Sequence, residues 1–262
     1  MSLLKNLLFP PVCAGCDTLI PVADWRRGEV CLCPDCRAAW ELAKLAPCPQ
    51  CGEARMDCRC MPPALCQSGM ETLVALTAYG TKAEEGTVPV ADRLILHLKD
   101  KHIGAYEDFL ASQLVFGVRR AVEACGWSRE DIVVSYCPRS PRKLRASGTD
   151  QAKRIAGALA HLLDMPCVPL FRHVGDGEQK RLGEKARAEH ARRSYRLRHG
   201  AQVSAKRVIL VDDIVTTGAS MAACCELLFD AGALSVIGVA VARTEGKNAK
   251  NAVRQEKISK TT

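Results

Sequence analysis

Beyond residue 70, the apolar positions of this chain follow two alternating spacings. Short β-branched or continuously apolar runs predict strands, and longer stretches with apolar residues three or four apart predict helices. The predicted strands cover residues 73–79, 132–137, 167–171, 206–212 and 234–242. The predicted helices cover residues 90–99, 105–124, 150–163 and 219–230. Strands and helices that alternate in this order are typical of an α/β protein.

The run at 206–212 is the clearest of these strands. Its four residues from Val208 to Val211 are all aliphatic, so both faces of the strand are suited to burial. Strands buried on both faces are characteristic of parallel sheets covered by helices. The pattern therefore predicts a parallel sheet flanked by helices, with this strand near its centre.

The N-terminal quarter of the chain is distinguished instead by its cysteines. Ten of the 15 cysteines in the 262 residues precede residue 67. The first residues lack a long apolar region and a small-residue cleavage site, so we expect no signal peptide. In a reducing compartment, clustered thiols more often bind metal than form disulfides. We predict a cysteine-rich module over residues 1–68, an α/β domain over 69–245 and a polar basic tail over 246–262.

Eight of these ten cysteines form three CxxC pairs and one CxC, a spacing that suits structural zinc, and Cys31 and Cys66 are left over. One predicted site has the spacing of a zinc ribbon and consists of Cys13, Cys16, Cys33 and Cys36. A second predicted site consists of Cys48, Cys51, Cys58 and Cys60. CxC is a tighter arrangement, so Cys66 could replace one ligand of the second site, and pairing across the two sites also stays open. We expect one or two zinc ions that stabilise a double zinc-ribbon module too poor in aliphatic residues to fold alone.

Composition and charge narrow the classes of function. The chain is 48% hydrophobic and 25% charged, and it contains no apolar run long enough to span a bilayer, so we expect a cytoplasmic protein without membrane insertion. Residues 138–207 contain 17 Lys and Arg against 6 Asp and Glu, a net charge of +11, which exceeds the +8 of the whole chain. Such density suits a polyanion, either a phosphorylated sugar or a nucleic-acid backbone, although a solvated basic helix face is the alternative.

One segment, residues 208–220, carries specific chemistry. The apolar strand ends at Asp212 and Asp213, and ligands of open α/β sheets bind at the carboxyl ends of strands. The turn that follows leads into a helix whose first N–H groups can bind a phosphate. Its candidate phosphate-binding residues are Thr216, Thr217, Gly218, Ala219 and Ser220. A Walker B strand would require an upstream P-loop, which is absent, and an ordinary capped helix would not account for two acids after a buried strand.

These residues resemble the phosphoribosyl-pyrophosphate (PRPP) segment of type I phosphoribosyltransferases. Together with the cysteine pairs and Leu8-Phe9-Pro10, they resemble the ComF/GntX family, in which a zinc ribbon precedes a phosphoribosyltransferase-like domain. Residues 138–151 are similar to the family's stretch of a proline, spaced arginines and Arg-Gly-Phe-Asn-Gln. Here Ser147, Thr149 and Asp150 replace the arginine, phenylalanine and asparagine of that stretch.

The resemblance implies roles for particular residues. Asp212 and Asp213 would face the ribose hydroxyls with Mg²⁺ nearby, and residues 216–220 would bind the 5-phosphate. The loop with Pro138, Arg139 and Arg142 would approach the diphosphate. Catalysis would then proceed through an oxocarbenium-like transition state that the carboxylates stabilise.

Three hypotheses about function remain open at this point. The protein could transfer a phosphoribosyl group to a nitrogen acceptor, which would make it an enzyme. It could use the fold to bind PRPP or a ribose phosphate while it handles single-stranded DNA with the DNA-uptake machinery of natural competence, as the resemblance implies. It could also be a regulator that senses PRPP. The replaced residues at 147–150 disfavour efficient catalysis, so the activity itself is left undecided.

Overall fold

The structure, a computed structural model, describes residues 8–26, 31–80, 88–100, 104–174 and 184–244. Its helices are α1 (Val22–Arg26), α2 (Pro34–Leu45), α3 (Pro63–Gln67), α4 (Val90–Asp100), α5 (Gly104–Ala124), α6 (Pro141–Ser147), α7 (Gln151–Leu163), α8 (Glu184–Ser194) and α9 (Ala219–Asp230). Its strands are β1 (Thr72–Tyr79), β2 (Ile132–Tyr136), β3 (Phe171–His173), β4 (Tyr195–Leu197), β5 (Arg207–Val215) and β6 (Ser235–Thr244).

Four strands form one parallel sheet in the order β1-β6-β5-β2. Helices α5 and α7 pack on one face of this sheet, and α9 packs on the other. The predicted fold class, a parallel sheet flanked by helices, is therefore confirmed.

The central strand β5 shows why the chain folds in this way. Side chains of a strand alternate between the two faces of the sheet. Ile209 and Val211 belong to the apolar core on the α5 and α7 side, whereas Val208 and Leu210 belong to the core on the α9 side. An uninterrupted aliphatic run thus serves both cores, and β5 needs a helix layer on each face.

The predicted elements match the structure closely, with one exception. The helix at 219–230 has the predicted bounds, whereas β5 extends to Val215, three residues beyond its predicted end. The strand predicted at 167–171 is wrong. Cys167 forms only an isolated parallel bridge with Val134, and the regular strand β3 begins at Phe171. Pro166 and Pro169 have no N–H to donate, so a continuous ladder cannot form along this stretch.

Strands β3 and β4 and the helices α1, α2, α3, α6 and α8 were not predicted. The two strands form a two-stranded antiparallel sheet. Three-residue strands are too short for a periodicity to be recognised. Helix α6 has clear local causes, since Ser140 accepts a hydrogen bond from the N–H of Lys143 and Gly148 ends the helix in a left-handed conformation.

The cysteine-rich segment packs on the α/β domain directly. Trp40 of α2 is fully buried in the core that contains α5, and its ring lies 6.0 Å from that of Phe109. The boundaries predicted at residues 68 and 245 stay predictions, and the predicted tail at 246–262 lies outside the described residues. Among the described helices, none is long and apolar enough to cross a membrane.

Candidate ligand site and cysteine clusters

The two segments predicted to bind ligand come together at the carboxyl edge of the sheet. Strands β2 and β5 are parallel neighbours, so the residues that follow them emerge at the same edge. The N–H of Cys137 donates to the carbonyl of Val211 over 2.9 Å, which extends the pairing to the first residue of the β2 loop. The loop at 138–140 therefore begins beside Asp212 and Asp213.

The two acids lie near the end of β5 and are only partly exposed. The Oδ1 atom of Asp212 accepts the N–H of Asp213 over 2.9 Å, and Oδ1 of Asp213 accepts the N–H of Ile214 over 2.7 Å. Burial raises the pKa of the Asp212 carboxyl well above its usual range, and the adjacent charge of Asp213 raises it further. A bound cation or a hydroxyl donor would relieve this repulsion.

Asp150 is a third acid at this edge, whereas the sequence alone indicates only that it replaces an asparagine of the family pattern. It is the N-cap of α7, where its side chain accepts the N–H of Lys153 over 3.1 Å. Its other oxygen accepts the N–H of Arg139 over 3.0 Å, which fixes the β2 loop. Burial raises the pKa of Asp150, and the charge of Asp213 contributes to that rise. Three carboxylates therefore act on one another here, and oxygen ligands of this kind suit Mg²⁺.

The turn from β5 into α9 has the features of a phosphate-binding loop. The N-cap residue Gly218 has a φ of 77° and provides no side-chain cap for the helix. A Cβ atom at this position would lie 2.8 Å from Cγ of Leu65, so only glycine fits. Thr217 Oγ1 accepts the N–H of Ala219 over 3.4 Å, while Thr216 is exposed. The loop thus places hydroxyls beside the N-terminus of a helix, which attracts anions.

Tyr195 of β4 places its hydroxyl beside Ser220 of this loop, and the sequence gives no indication of this role. Burial raises the pKa of Tyr195, and a hydrogen bond with the side chain of Ser220 acts in the opposite direction. Neither the short strand β4 nor the spacing of residues 195 and 220 indicates this contact.

The residues predicted to approach a diphosphate differ in their solvent exposure and in their hydrogen bonds. Pro138 and Arg139 are partly buried, and the Arg139 guanidinium binds Ser147 Oγ over 2.8 Å and the Thr149 carbonyl over 3.4 Å. Ser147, the residue that replaces the family's arginine, thus binds Arg139 in this arrangement. Arg142, in the first turn of α6, is exposed to solvent.

The first predicted zinc-ligand set is assembled in the structure. All four sulfurs of Cys13, Cys16, Cys33 and Cys36 lie within 4.8 Å of one another. Sγ of Cys16 and Sγ of Cys33 are 3.7 Å apart, close to the separation of about 3.8 Å that tetrahedral zinc with bonds of about 2.3 Å imposes. Cys13 Sγ also accepts the N–H groups of Gly15 and Cys33, which stabilises a thiolate. Burial favours the neutral thiol of Cys16, but hydrogen bonds with Thr18 help to lower its pKa to about 6.

The second set is assembled as well, and it is Cys60 rather than Cys66 that completes it. The sulfurs of Cys48, Cys51, Cys58 and Cys60 lie within 4.8 Å of one another. Arg243 Nη2 lies 3.0 Å from both Cys48 Sγ and Cys58 Sγ. A cation beside the sulfurs favours their thiolate forms, the forms that bind metal. The two four-cysteine clusters could each hold zinc, and the ligands of each come from one ribbon.

Comparisons with known proteins agree with the geometry of the α/β domain. The family model described as "Phosphoribosyl transferase domain" matches residues 150–261. The chain is 27% identical to the DNA utilization protein YhgH of Salmonella typhimurium, over 88% of this chain and 96% of that protein. These matches support a phosphoribosyltransferase-like family.

Two solved structures are similar over part of the chain. Adenine phosphoribosyltransferase from Saccharomyces cerevisiae is 21% identical, with a TM-score of 0.33 over 54% of this chain and 73% of that chain. Hypoxanthine phosphoribosyltransferase from Staphylococcus aureus is 11% identical, with a TM-score of 0.34 over 61% and 73% of the two chains. The assignment of the fold rests on the sheet itself.

Proposed function

We propose that this protein binds PRPP or a related ribose phosphate, together with Mg²⁺, at the carboxyl edge of its parallel sheet. The observation that carries the proposal is the end of β5, where Asp212 and Asp213 directly precede a glycine turn and the N-terminus of α9. The match of the phosphoribosyl transferase model to residues 150–261 supports it independently.

Each part of this edge suits one part of such a ligand. The 5-phosphate would lie against residues 216–220, where amide and hydroxyl groups are available. Asp212 and Asp213 would accept hydrogen bonds from the ribose hydroxyls. Bound Mg²⁺ would neutralise charge on the diphosphate. If the phosphoribosyl group is transferred to a nitrogen acceptor, the carboxylates beside the ribose would stabilise positive charge at C1. A regulator that only senses PRPP would use the same contacts without the transfer.

Calorimetry and thermal denaturation with Mg²⁺–PRPP test this proposal. Wild-type protein should gain thermal stability with ligand, because binding to the folded state alone stabilises it. Asp213→Ala should abolish that gain. Asp230→Ala is the matched control, since Asp230 is an exposed acid at the opposite end of α9 and should leave the gain unchanged. An Asp213→Ala variant that is stabilised as strongly as wild type would contradict the site.

We also propose that the protein binds single-stranded DNA. The observation that favours it is a pair of exposed arginines, Arg172 and Arg196, directly opposite each other in the β3–β4 sheet. Like charges in this position destabilise a sheet, and among the described residues neither forms an ion pair with an acid. A bound polyanion would offset their repulsion. The similarity to a protein named for DNA utilization supports DNA binding. A role in DNA uptake during natural competence is part of the same proposal and rests on the resemblance to the ComF/GntX family.

Fluorescence anisotropy with a mixed-sequence, single-stranded oligonucleotide tests DNA binding. The affinity should fall steeply with salt, and Arg172→Glu should weaken binding and lower the slope of that dependence by about one. Arg119→Glu is the control, because Arg119 is an exposed residue of α5 on the opposite face of the sheet. Absence of binding at low ionic strength, or equal losses in both variants, would exclude the proposed surface.

A cytoplasmic location belongs to the same proposal. All 15 cysteines are free thiols in the structure, which suits a reducing compartment and metal-bound clusters.

A further inference from the structure

Arg243 of the α/β domain contacts the second cysteine cluster directly. Arg243, near the end of β6, donates from Nη2 to the sulfurs of Cys48 and Cys58, over 3.0 Å in each case. Its Nη1 donates to the carbonyl of Cys60 over 2.8 Å. One guanidinium therefore contacts three of the four ligand residues of this cluster. Four thiolates around a divalent ion carry a net charge of −2, which the arginine would partly offset.

The same part of β6 also contacts the start of the proposed phosphate-binding loop, residues 216–220. Arg243 is the register partner of Val215, the residue before Thr216. Thr244 follows Arg243, and its hydroxyl donates to the carbonyl of Thr216 over 3.2 Å. The backbone that positions the guanidinium is therefore continuous with the backbone that fixes the start of the loop.

A second connection runs from the cluster to the middle of the loop. A short segment after Cys60 leads to Leu65 in α3, which is fully buried. The side chain of Leu65 lies directly against Gly218, so closely that a Cβ atom on the glycine would overlap it. Movement of the cluster would therefore act on the loop at both Thr216 and Gly218.

The described residues show no such connection for the first cluster. Its residues Cys13, Cys33 and Cys36 belong to the core on the α5 and α7 side, whereas Leu65 belongs to the core on the α9 side. Among the hydrogen bonds of the described residues, none joins the first cluster to residues 216–220. The two clusters have the same kind of ligands, but only the second is connected to residues 216–220 among the described residues.

We propose that metal bound at the second cluster holds residues 216–220 in their ligand-binding arrangement, and that Arg243 is the positioning residue that couples the two sites. The inference rests on the proposed binding of ribose phosphate at that loop. Because coupling between two binding sites is reciprocal, ribose phosphate should also strengthen the retention of this metal.

Two measurements on the zinc-loaded full chain test the coupling. The first follows release of zinc to a chromogenic chelator, with and without ribose 5-phosphate. The second follows amide hydrogen exchange of residues 216–220, which requires no ligand. Arg243→Met should weaken retention of one zinc by about 10–100-fold, the usual effect of removing a partner of metal ligands. It should also speed exchange in the loop and weaken ribose 5-phosphate binding by about 5-fold or more.

Two kinds of control variant separate coupling from general damage. Arg120→Met removes a different arginine that binds the same module, since Arg120 Nη1 lies 2.7 Å from Asp57 Oδ1 and contacts no cluster sulfur among the described residues. Cys16→Ser removes one ligand of the first cluster, and Cys51→Ser removes one ligand of the second. Only the second of these should speed exchange in the loop. Arg243→Lys retains the positive charge but not the forked donor, so it should lie between wild type and Arg243→Met.

The outcomes separate this inference from the function on which it rests. If wild-type protein binds neither ribose 5-phosphate nor Mg²⁺–PRPP, the proposed function falls, and zinc retention and loop exchange still decide the coupling. If Arg243→Met loses zinc readily while loop exchange is unchanged, the coupling is wrong. Equal loop exchange in the Cys16→Ser and Cys51→Ser variants would also overturn it.

Discussion

At the scale of single residues, the candidate site consists of groups that are unfavourable without a ligand. Asp212 is a partly buried acid next to the charge of Asp213, with Asp150 nearby. In a domain without a ligand, a neutral side chain would be more stable at this position. Groups whose environment raises their pKa in this way concentrate at functional sites.

This gives a prediction for Asp212→Asn that combines stability and binding. The folded-state pKa of Asp212 is raised, so stability is lost as pH rises from about 4, the unfolded value, through the folded value. Asparagine removes that loss and can still accept the N–H of Asp213. The variant should therefore melt about 2–4 °C higher at neutral pH, for a gain of about 1 kcal/mol, and show no gain at a pH of about 3.

The same variant should lose its stabilisation by Mg²⁺–PRPP, because it lacks one carboxylate. Thermal denaturation at several pH values, with and without ligand, measures both effects. A variant that is destabilised at neutral pH would show that the ionised Asp212 carboxyl is not unfavourable in the folded protein.

At the scale of elements, the start of α9 depends on one glycine. Gly218 has a left-handed φ of 77°, and its neighbour Leu65 leaves no room for a methyl group. The turn thereby connects two elements that are distant in sequence, α3 and α9. Its geometry is set by packing as well as by local backbone preference.

Gly218→Ala should destabilise the protein by about 1–3 kcal/mol, because it combines left-handed strain with overpacking. It should also weaken ribose phosphate binding by shifting the loop. Gly157→Ala is the matched control, since Gly157 lies in α7 where an added methyl group would extend into open space, and alanine there should be neutral or stabilising. Urea denaturation measures both variants, and equal stabilities would contradict the role of Leu65.

At the scale of the whole molecule, the cysteine clusters connect the N-terminal segment to two different parts of the α/β domain. The first belongs to the core around α5, and the second contacts β6 through Arg243. A segment with few aliphatic residues can be stably folded in this way, because metal binding contributes free energy of folding.

Elemental analysis of the purified protein should find about two zinc ions per chain, one for each four-cysteine cluster. The substitutions Cys16→Ser and Cys51→Ser should each remove about one, since they alter different clusters. Chelation of both ions should lower the melting temperature, because binding to the folded state stabilises it by mass action. A protein that folds normally and contains no zinc would show that the clusters do not bind this metal.

The features that depend on local order along the chain could be predicted from the sequence alone. Aliphatic runs and helical spacing predicted the four strands of the parallel sheet, and the position of Asp212 and Asp213 after the aliphatic run of β5 predicted the edge at which a ligand binds. CxxC spacing predicted both ligand sets, because two residues between cysteines suffice to bring both sulfurs to one ion.

Contacts between residues that are distant in the chain could be read only from the three-dimensional structure. It placed Asp150 near Asp213, Tyr195 beside Ser220 and Arg243 against the second cluster. It also showed that Cys167 forms only an isolated bridge and that the regular strand begins at Phe171. The physical reason is that periodicity reports how a segment is buried, whereas contacts between segments depend on the order and register of strands in the sheet.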